Sequence, residues 1–169
     1  RALVTLERTG LELKLHQCSL EPQDAEDTFV EWIRQNQVLA EIVCCEMGSR
    51  IFSALSGNIS VKKLVILKHK SKSGEEEMCS LAQALPGNLG IEHLSLSSIG
   101  ITDETLSLVI RSMSAHPRIN FLSIWNAKRM KPILQMLHRN TVVHTIELPD
   151  TYTDEEVYQI SILPRLEMN

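Results

Sequence analysis

The sequence predicts an open α/β solenoid in which short parallel strands alternate with helices. Three observations carry that expectation. A strand-like motif of alternating apolar residues recurs along the chain, and each copy is followed by a stretch with helical periodicity. The apolar content is almost wholly aliphatic, 43% hydrophobic residues against 4% aromatic. Such a composition suits thin, repeated layers better than a single bulky centre. With 169 residues, the chain fits one domain that buries roughly two-thirds of its unfolded surface.

The clearest unit begins at Ile91 and reads Ile91-x-x-Leu94-x-Leu96-x-x-Ile99-x-Ile101, followed by an acidic turn and the apolar positions Leu106, Ile110 and Met113 before Pro117. The motif restarts as Ile119-x-x-Leu122-x-Ile124-x-x-Ala127. Its first half has period two, as a strand requires, and its second half the 3.6-residue period of a helix. Further copies are Leu13-x-Leu15-x-x-Cys18-x-Leu20, Leu39-x-x-Ile42-x-Cys44-x-x-Met47, Val61-x-x-Leu64-x-Ile66, Val143-x-x-Ile146-x-Leu148 and Leu163-x-x-Leu166-x-Met168. Their anchors at 13, 42, 64, 94, 122, 146 and 166 are separated by 29, 22, 30, 28, 24 and 20 residues.

Helix punctuation fills the intervals. Acidic residues crowd the expected starts at Asp24–Asp27, Glu75–Glu77, Asp103–Glu104 and Asp154–Glu156, where the helix dipole favours negative charge. Ser73 with Glu76, and Thr153 with Glu156, have capping-box spacing. Pro86-Gly87-Asn88, His116-Pro117 and His138-Arg139-Asn140 supply stops. Each interval therefore holds one strand and one helix of about 8–15 residues.

The repeated L-x-x-L-x-L-x-x-N/C-x-L pattern over residues 11–169 resembles the leucine-rich repeats of the ribonuclease-inhibitor-like subclass. The resemblance implies a right-handed α/β solenoid of six to seven repeats with parallel strands on the concave face and helices on the convex face, one domain spanning residues 1–169, and service as a protein-binding scaffold. Cys18 stands where that pattern has Asn or Cys, whereas Met47, His69, Ile99 and Ala127 depart from it. Residues 1–10 match no copy and read as a cap or part of a preceding repeat. Opening at Arg1, the chain reads as a piece of a longer one.

Charge and motif content narrow the function. A net charge of −4 and a pI near 5.9 offer no global attraction to nucleic acid or an anionic membrane. No apolar run approaches the ~20 residues of a membrane span. Four cysteines outside any C-x-x-C pair read as free thiols of a reducing, cytoplasmic compartment. Asn58-Ile59-Ser60 is a formal glycosylation sequon without a visible signal peptide. No catalytic signature, metal-ligand spacing or cofactor fingerprint is present, so the chain is expected to be a non-enzyme. His93, near Ser95 and Ser97, is its only catalytic-looking cluster.

Candidate binding residues follow from strand alternation. Apolar anchors point into the coil, so their neighbours form the concave face. Among these are Val43, Val65, Leu67, His93, Phe121 and Trp125, together with Glu41, Lys63, Ser95 and Ser123. Phe121 and Trp125 are two of only seven aromatics, and aromatic anchors on an open face are the composition of a binding hot spot. Lys128, Arg129 and Lys131 follow Trp125 at a helix start, where cations oppose the dipole unless an acidic group compensates. A second cationic run spans Lys62–Lys72. The expected role is concave-face binding of a protein partner. The alternatives are a structural segment of a larger assembly and, less favoured, nucleic-acid or phosphate binding through the Lys/Arg clusters.

Overall fold

The computed structural model describes residues 5–9, 12–19, 23–35, 38–46, 48–67, 74–97, 102–125 and 131–148. Strands and helices alternate as β1 (Thr5–Thr9), β2 (Glu12–Ser19), α1 (Gln23–Gln35), β3 (Leu39–Glu46), α2 (Ser49–Leu55), β4 (Lys63–Ile66), α3 (Gly74–Ala84), β5 (His93–Leu96), α4 (Asp103–Ser112), β6 (Phe121–Ile124), α5 (Lys131–Leu137) and β7 (Thr145–Glu147). The strands make one sheet in chain order. Only β1 and β2 pair antiparallel, and every neighbouring pair from β2 to β7 is parallel. Parallel neighbours need a crossover, which α1 to α5 supply in turn. Among the described residues no helix is long and apolar enough to cross a membrane.

The expected anchors Ile42, Leu64, Leu94, Leu122 and Ile146 share one row across the sheet. All five are buried in a single aliphatic core, where they meet Phe52, Met78, Leu81, Ile110, Met113 and Met136 from the helices. The first copy is offset. Leu15, not Leu13, stands opposite Ile42, because the β2–β3 ladder shifts register after Leu13 and again around Cys18. A bulge of this kind lets one strand slip against its neighbour, and the apolar pattern cannot distinguish Leu13 from Leu15. The final copy at 163–168, and the positions Met47, His69, Ile99 and Ala127, lie outside the described residues.

Helix length tracks repeat length. The intervals of 30 and 28 residues hold α3 and α4, of 11 and 10 residues, each prolonged by a 3-10 turn at Leu85–Gly87 or Met113–Ala115. The intervals of 22 and 24 residues hold α2 and α5, of only 7 residues each. These two fall short of the expected 8–15, since a fixed strand and two turns leave fewer residues for the helix.

Between each of the helices α2 to α5 and the strand that follows it lies a polar device that the repeat pattern alone did not indicate. Asn58, Asn88, His116 and Asn140 each stand three residues ahead of an apolar residue that opens a coil, Val61, Ile91, Ile119 or Val143, and all four are buried. Asn88 Oδ1 accepts from the N–H groups of Gly90 (2.9 Å) and Ile91 (2.8 Å), while its Nδ2 donates to the carbonyls of Leu55 (2.5 Å) and Asn58 (3.0 Å) in the preceding coil. Asn140 repeats this with Val142 and Val143 as donors and Met113 and His116 as acceptors. Asn58 accepts from Ser60 and Val61 and donates to Ile33. Each rung satisfies backbone groups that the turn would otherwise bury unpaired. The Asn58 amide nitrogen of the sequon is thus committed inside the fold.

The helix layer is stitched in the same manner. Thr102 caps α4 by accepting from the Thr105 N–H at 3.3 Å, and Glu75 of α3 reaches the same end of α4. Its carboxylate accepts from the Thr102 N–H (2.6 Å) and from both threonine hydroxyls. Burial acts to raise the Glu75 pKa, but the hydrogen bonds from Thr105 and Thr102 outweigh it and hold the group below its ordinary value. Asp27 of α1 pairs with Arg50 of α2 across the preceding coil boundary.

Two stability measurements test the roles of anchor and rung. Leu122→Ala should cost about 2–5 kcal/mol in urea unfolding, the range for an emptied aliphatic site. Asn88→Ala should cost at least about 3 kcal/mol, since it removes the side-chain partner of two buried N–H groups and of the Asn58 carbonyl and leaves the Leu55 carbonyl with the Asn58 N–H alone. An Asn88→Ala cost within the ordinary surface range of about 0.5 kcal/mol would show that the rungs are not what holds the coils together. Gly90→Ala should also destabilise, because a Cβ there would sit 2.7 Å from the Val61 carbonyl oxygen and 2.9 Å from that of Ile59.

Candidate functional site

The sheet face opposite the helices is built from strand residues that alternate with the buried anchors. One row runs Glu41, Lys63, His93, Phe121, Thr145, and the next runs Val43, Val65, Ser95, Ser123, Glu147. Leu67, Ser97 and Trp125 close their strands at equivalent places, each donating its N–H to the preceding strand: to Cys44 O (2.9 Å), Ile66 O (2.7 Å) and Leu96 O (3.0 Å). All six described candidates therefore share one face. Val43, Val65, His93 and Phe121 are half-buried, and Leu67 and Trp125 are exposed. Lys128 and Arg129 lie outside the described residues.

Register brings the aromatic candidates together in pairs. His93 and Phe121 are directly opposite on β5 and β6, and their rings stack with centroids 3.9 Å apart at 17°. Trp125 lies four residues beyond Phe121, about 13 Å along the strand. It is 48% exposed, and its Nε1–H donates to the Ser123 hydroxyl at 2.8 Å, so the indole is held back over its own strand. Val43 and Val65 are opposite one another. Leu67 and Trp125 are separated by the intervening strand, about 10 Å.

The expectation that the serines of this face are surface residues is corrected by the structure. Ser123 is only 2% exposed and Ser95 is also buried, and the Trp125 indole reaches back onto Ser123. Ser123 serves instead as the hydrogen-bond partner of Trp125. Strand alternation alone could not show this, since it assigns a face but not the size of the neighbours.

Electrostatics divide the face. On β3 and β4, Lys63 Nζ lies 2.9 Å from a Glu41 carboxylate oxygen, and Glu41 is buried. That pair stands beside the aromatic stack and acts on it. The His93 pKa is lowered first by burial and next by the Lys63 cation, against opposing pulls from Glu147 and Glu41. His93 thus presents a neutral ring at pH 7. Its ring contact is Phe121, and the buried Ser95 lies in the next row of the face.

Removing the cation should move this histidine in a defined direction. In Lys63→Met the His93 imidazole should titrate at higher pH than in the wild type, followed by side-chain NMR. Glu147→Gln should shift it the opposite way. A lowered value in Lys63→Met would contradict this arrangement of charges around the ring.

No protein-family model and no curated protein matches the chain. Among solved structures it is similar to one titled "Leiomodin-1 Actin-Binding Site 2 (ABS2)", with a TM-score of 0.60 and 18% identity over 71% of this chain and 70% of that one. At that identity the likeness concerns the fold, an α/β architecture in which strands and helices alternate.

Proposed function

We propose that this chain is a non-catalytic interaction module of the ribonuclease-inhibitor-like leucine-rich-repeat type, a right-handed solenoid of six to seven repeats that binds a protein partner through its concave sheet face. The observation that carries the proposal is the exposed, hydrogen-bonded Trp125 on the same sheet face as the His93–Phe121 stack. These rings stand on the open face, and a tethered indole meets a partner with little rotamer freedom left to lose. Val43, Val65 and Leu67 extend the apolar surface towards the N-terminal strands. Cys44 and Cys79 as free thiols favour a reducing compartment such as the cytoplasm.

Lys128 and Arg129 follow Trp125 closely in the chain, so a partner with an apolar group flanked by carboxylates suits this end of the face. The leiomodin structure is titled as an actin-binding site, and actin is therefore the first defined partner to test. Affinity capture from lysate is run in parallel, with wild type beside the Trp125→Ala, Phe121→Ala double variant. For whichever partner binds, Trp125→Ala should weaken the complex by about 2 kcal/mol or more, roughly thirtyfold in Kd, chiefly through faster dissociation. Charge reversal at Lys128 and Arg129 should mainly slow association, and the effect should fade as salt rises. Unchanged affinity in both variants at low salt would remove this end of the face as the binding site.

A further inference from the structure

The fourfold ladder of helix-to-strand rungs contains one residue that differs in kind from the others. Asn58, Asn88 and Asn140 cannot titrate in the physiological range, whereas His116 can. Its Nδ1 takes the place of the amide oxygen, accepting from the N–H groups of Arg118 (3.2 Å) and Ile119 (3.1 Å), two and three residues ahead as in every Asn rung. The carbonyls of Met113 and His116 in turn accept from Asn140 of the next coil. The His116 ring thus closes the turn that leads from α4 into β6, the same turn whose carbonyls Asn140 grips, and it is 1% exposed.

We propose that His116 is an acid-sensitive staple, whose protonation releases the coils that follow it while the Asn rungs before it stay closed. The geometry leaves Nδ1 no room for a proton, because both backbone N–H groups already point at it. Gaining one would turn an acceptor of two hydrogen bonds into a donor facing two donors, in a site closed to water. Asn avoids the problem and also supplies two donors to the preceding coil. At His116 the carbon Cδ2 occupies the place of that amide nitrogen. Nε2, one bond further out, has no acceptor in hydrogen-bond geometry.

The surroundings offer the charged ring little compensation. From the preceding coil comes the Asn88 carbonyl, which favours protonation, and from the following coil the Asn140 amide. The 3-10 turn before the ring, Met113–Ala115, carries no charge. Of the charged side chains on adjoining turns, Arg118 is exposed and paired with Glu92 at 3.6 Å, and His138 and Arg139 are exposed. Among the described residues no carboxylate faces the imidazole to stabilise a cation. Burial is the larger influence, the Asn88 carbonyl the lesser, and together they place the His116 pKa below its ordinary value.

A histidine whose folded pKa is depressed contributes stability that is present above its unfolded value near 6.5 and is lost as pH falls from there towards the folded value. Within that window the opening constant rises by up to about tenfold per pH unit for one proton. The elements released, β6, α5 and β7, include Phe121 and Trp125. Acid would therefore also loosen the proposed binding face, a consequence that rests on that reading while the staple itself does not.

The decisive comparison is between wild type and His116→Asn, the residue the other three rungs already use, with Oδ1 replacing Nδ1 and Nδ2 restoring the donors. Native-state hydrogen exchange of the full chain is followed from pH 7.5 to 5 and corrected for intrinsic rates. The amides of Arg118, Ile119, β6 and β7 should lose more protection in wild type than in His116→Asn, by up to about tenfold per pH unit between about 6.5 and the folded value, with β3 and β4 little changed in both. In parallel, NMR of the wild-type imidazole should show an Nε2–H tautomer titrating below the ordinary histidine value. An equal acid response in the two proteins would overturn the proposal, as would uniform loss of protection from β3 to β7. So would an imidazole that titrates at or above the ordinary value. Partner binding is not measured, so failure here is separate from failure of the binding-face reading.

Discussion

A coil that turns from helix to strand once per repeat must bury the backbone of that turn against the neighbouring coil, and buried N–H and C=O groups require partners. In a β-sheet or a helix the ladder itself supplies them. At these turns it cannot, and side chains do so instead. Asn88 shows the economy of the arrangement: four hydrogen bonds from one amide, two closing its own turn and two gripping the coil before it. Everything else in the sheet is positioned by that grip. The distance from rung to anchor is constant, so successive strands enter in register, and the anchors fall into one row without bulges from β3 to β7. Only β2 and β3 pair irregularly.

Register in turn decides what the open face can be. A one-residue slip would send Phe121 and Trp125 into the core and Leu122 out of it. Because register holds, His93 and Phe121 meet face to face, Lys63 meets Glu41, and Trp125 finds Ser123 two residues back along its own strand. The face is thus a product of two layers of constraint. Buried amides set the register, and the register sets which side chains can touch. The helices carry a separate set of cross-coil contacts, Glu75 to Thr102 and Thr105, and Asp27 to Arg50, which tie neighbours at the helix starts rather than at the strand entries.

Much of this was legible in the sequence. Period-two anchors in repeated copies located the strands from Ile42 to Ile146, and acidic clusters located the starts of α1, α3 and α4. The placement of Val43, Val65, Leu67, His93, Phe121 and Trp125 on a single face followed from alternation alone. What escaped was whatever depends on neighbours rather than on spacing. The Trp125 indole reaches back onto the buried Ser123, and the Leu13-to-Leu15 offset reflects a bulge that two leucines in alternation hide. The rungs are a different case, because their signal was present. Asn58, Asn88, His116 and Asn140 all precede an apolar residue by three positions, but as a sequon and three helix stops they explained themselves one at a time. An asparagine before a strand is so ordinary a turn residue that only its repetition at constant offset reveals a buried role.

The separation of duties along each repeat explains why this fold can vary its surface so freely. The rung and anchor positions are constrained by burial from both sides, and they hold to Asn or His and to Leu or Ile throughout. The alternate strand positions range from buried, as at Glu41, Ser95 and Ser123, to half-buried and exposed, and along one row they run through Glu41, Lys63, His93, Phe121 and Thr145, from an acid and a base to an aromatic stack and a hydroxyl. A compact core would couple such changes to packing. Here each coil touches only its neighbours, so a residue on the open face affects stability through at most two adjoining strands. The His93–Phe121 stack spans one strand pair, and the Trp125–Ser123 hydrogen bond lies within a single strand. That locality allows Phe121 and Trp125 to stand on the face without disturbing the coil beneath them.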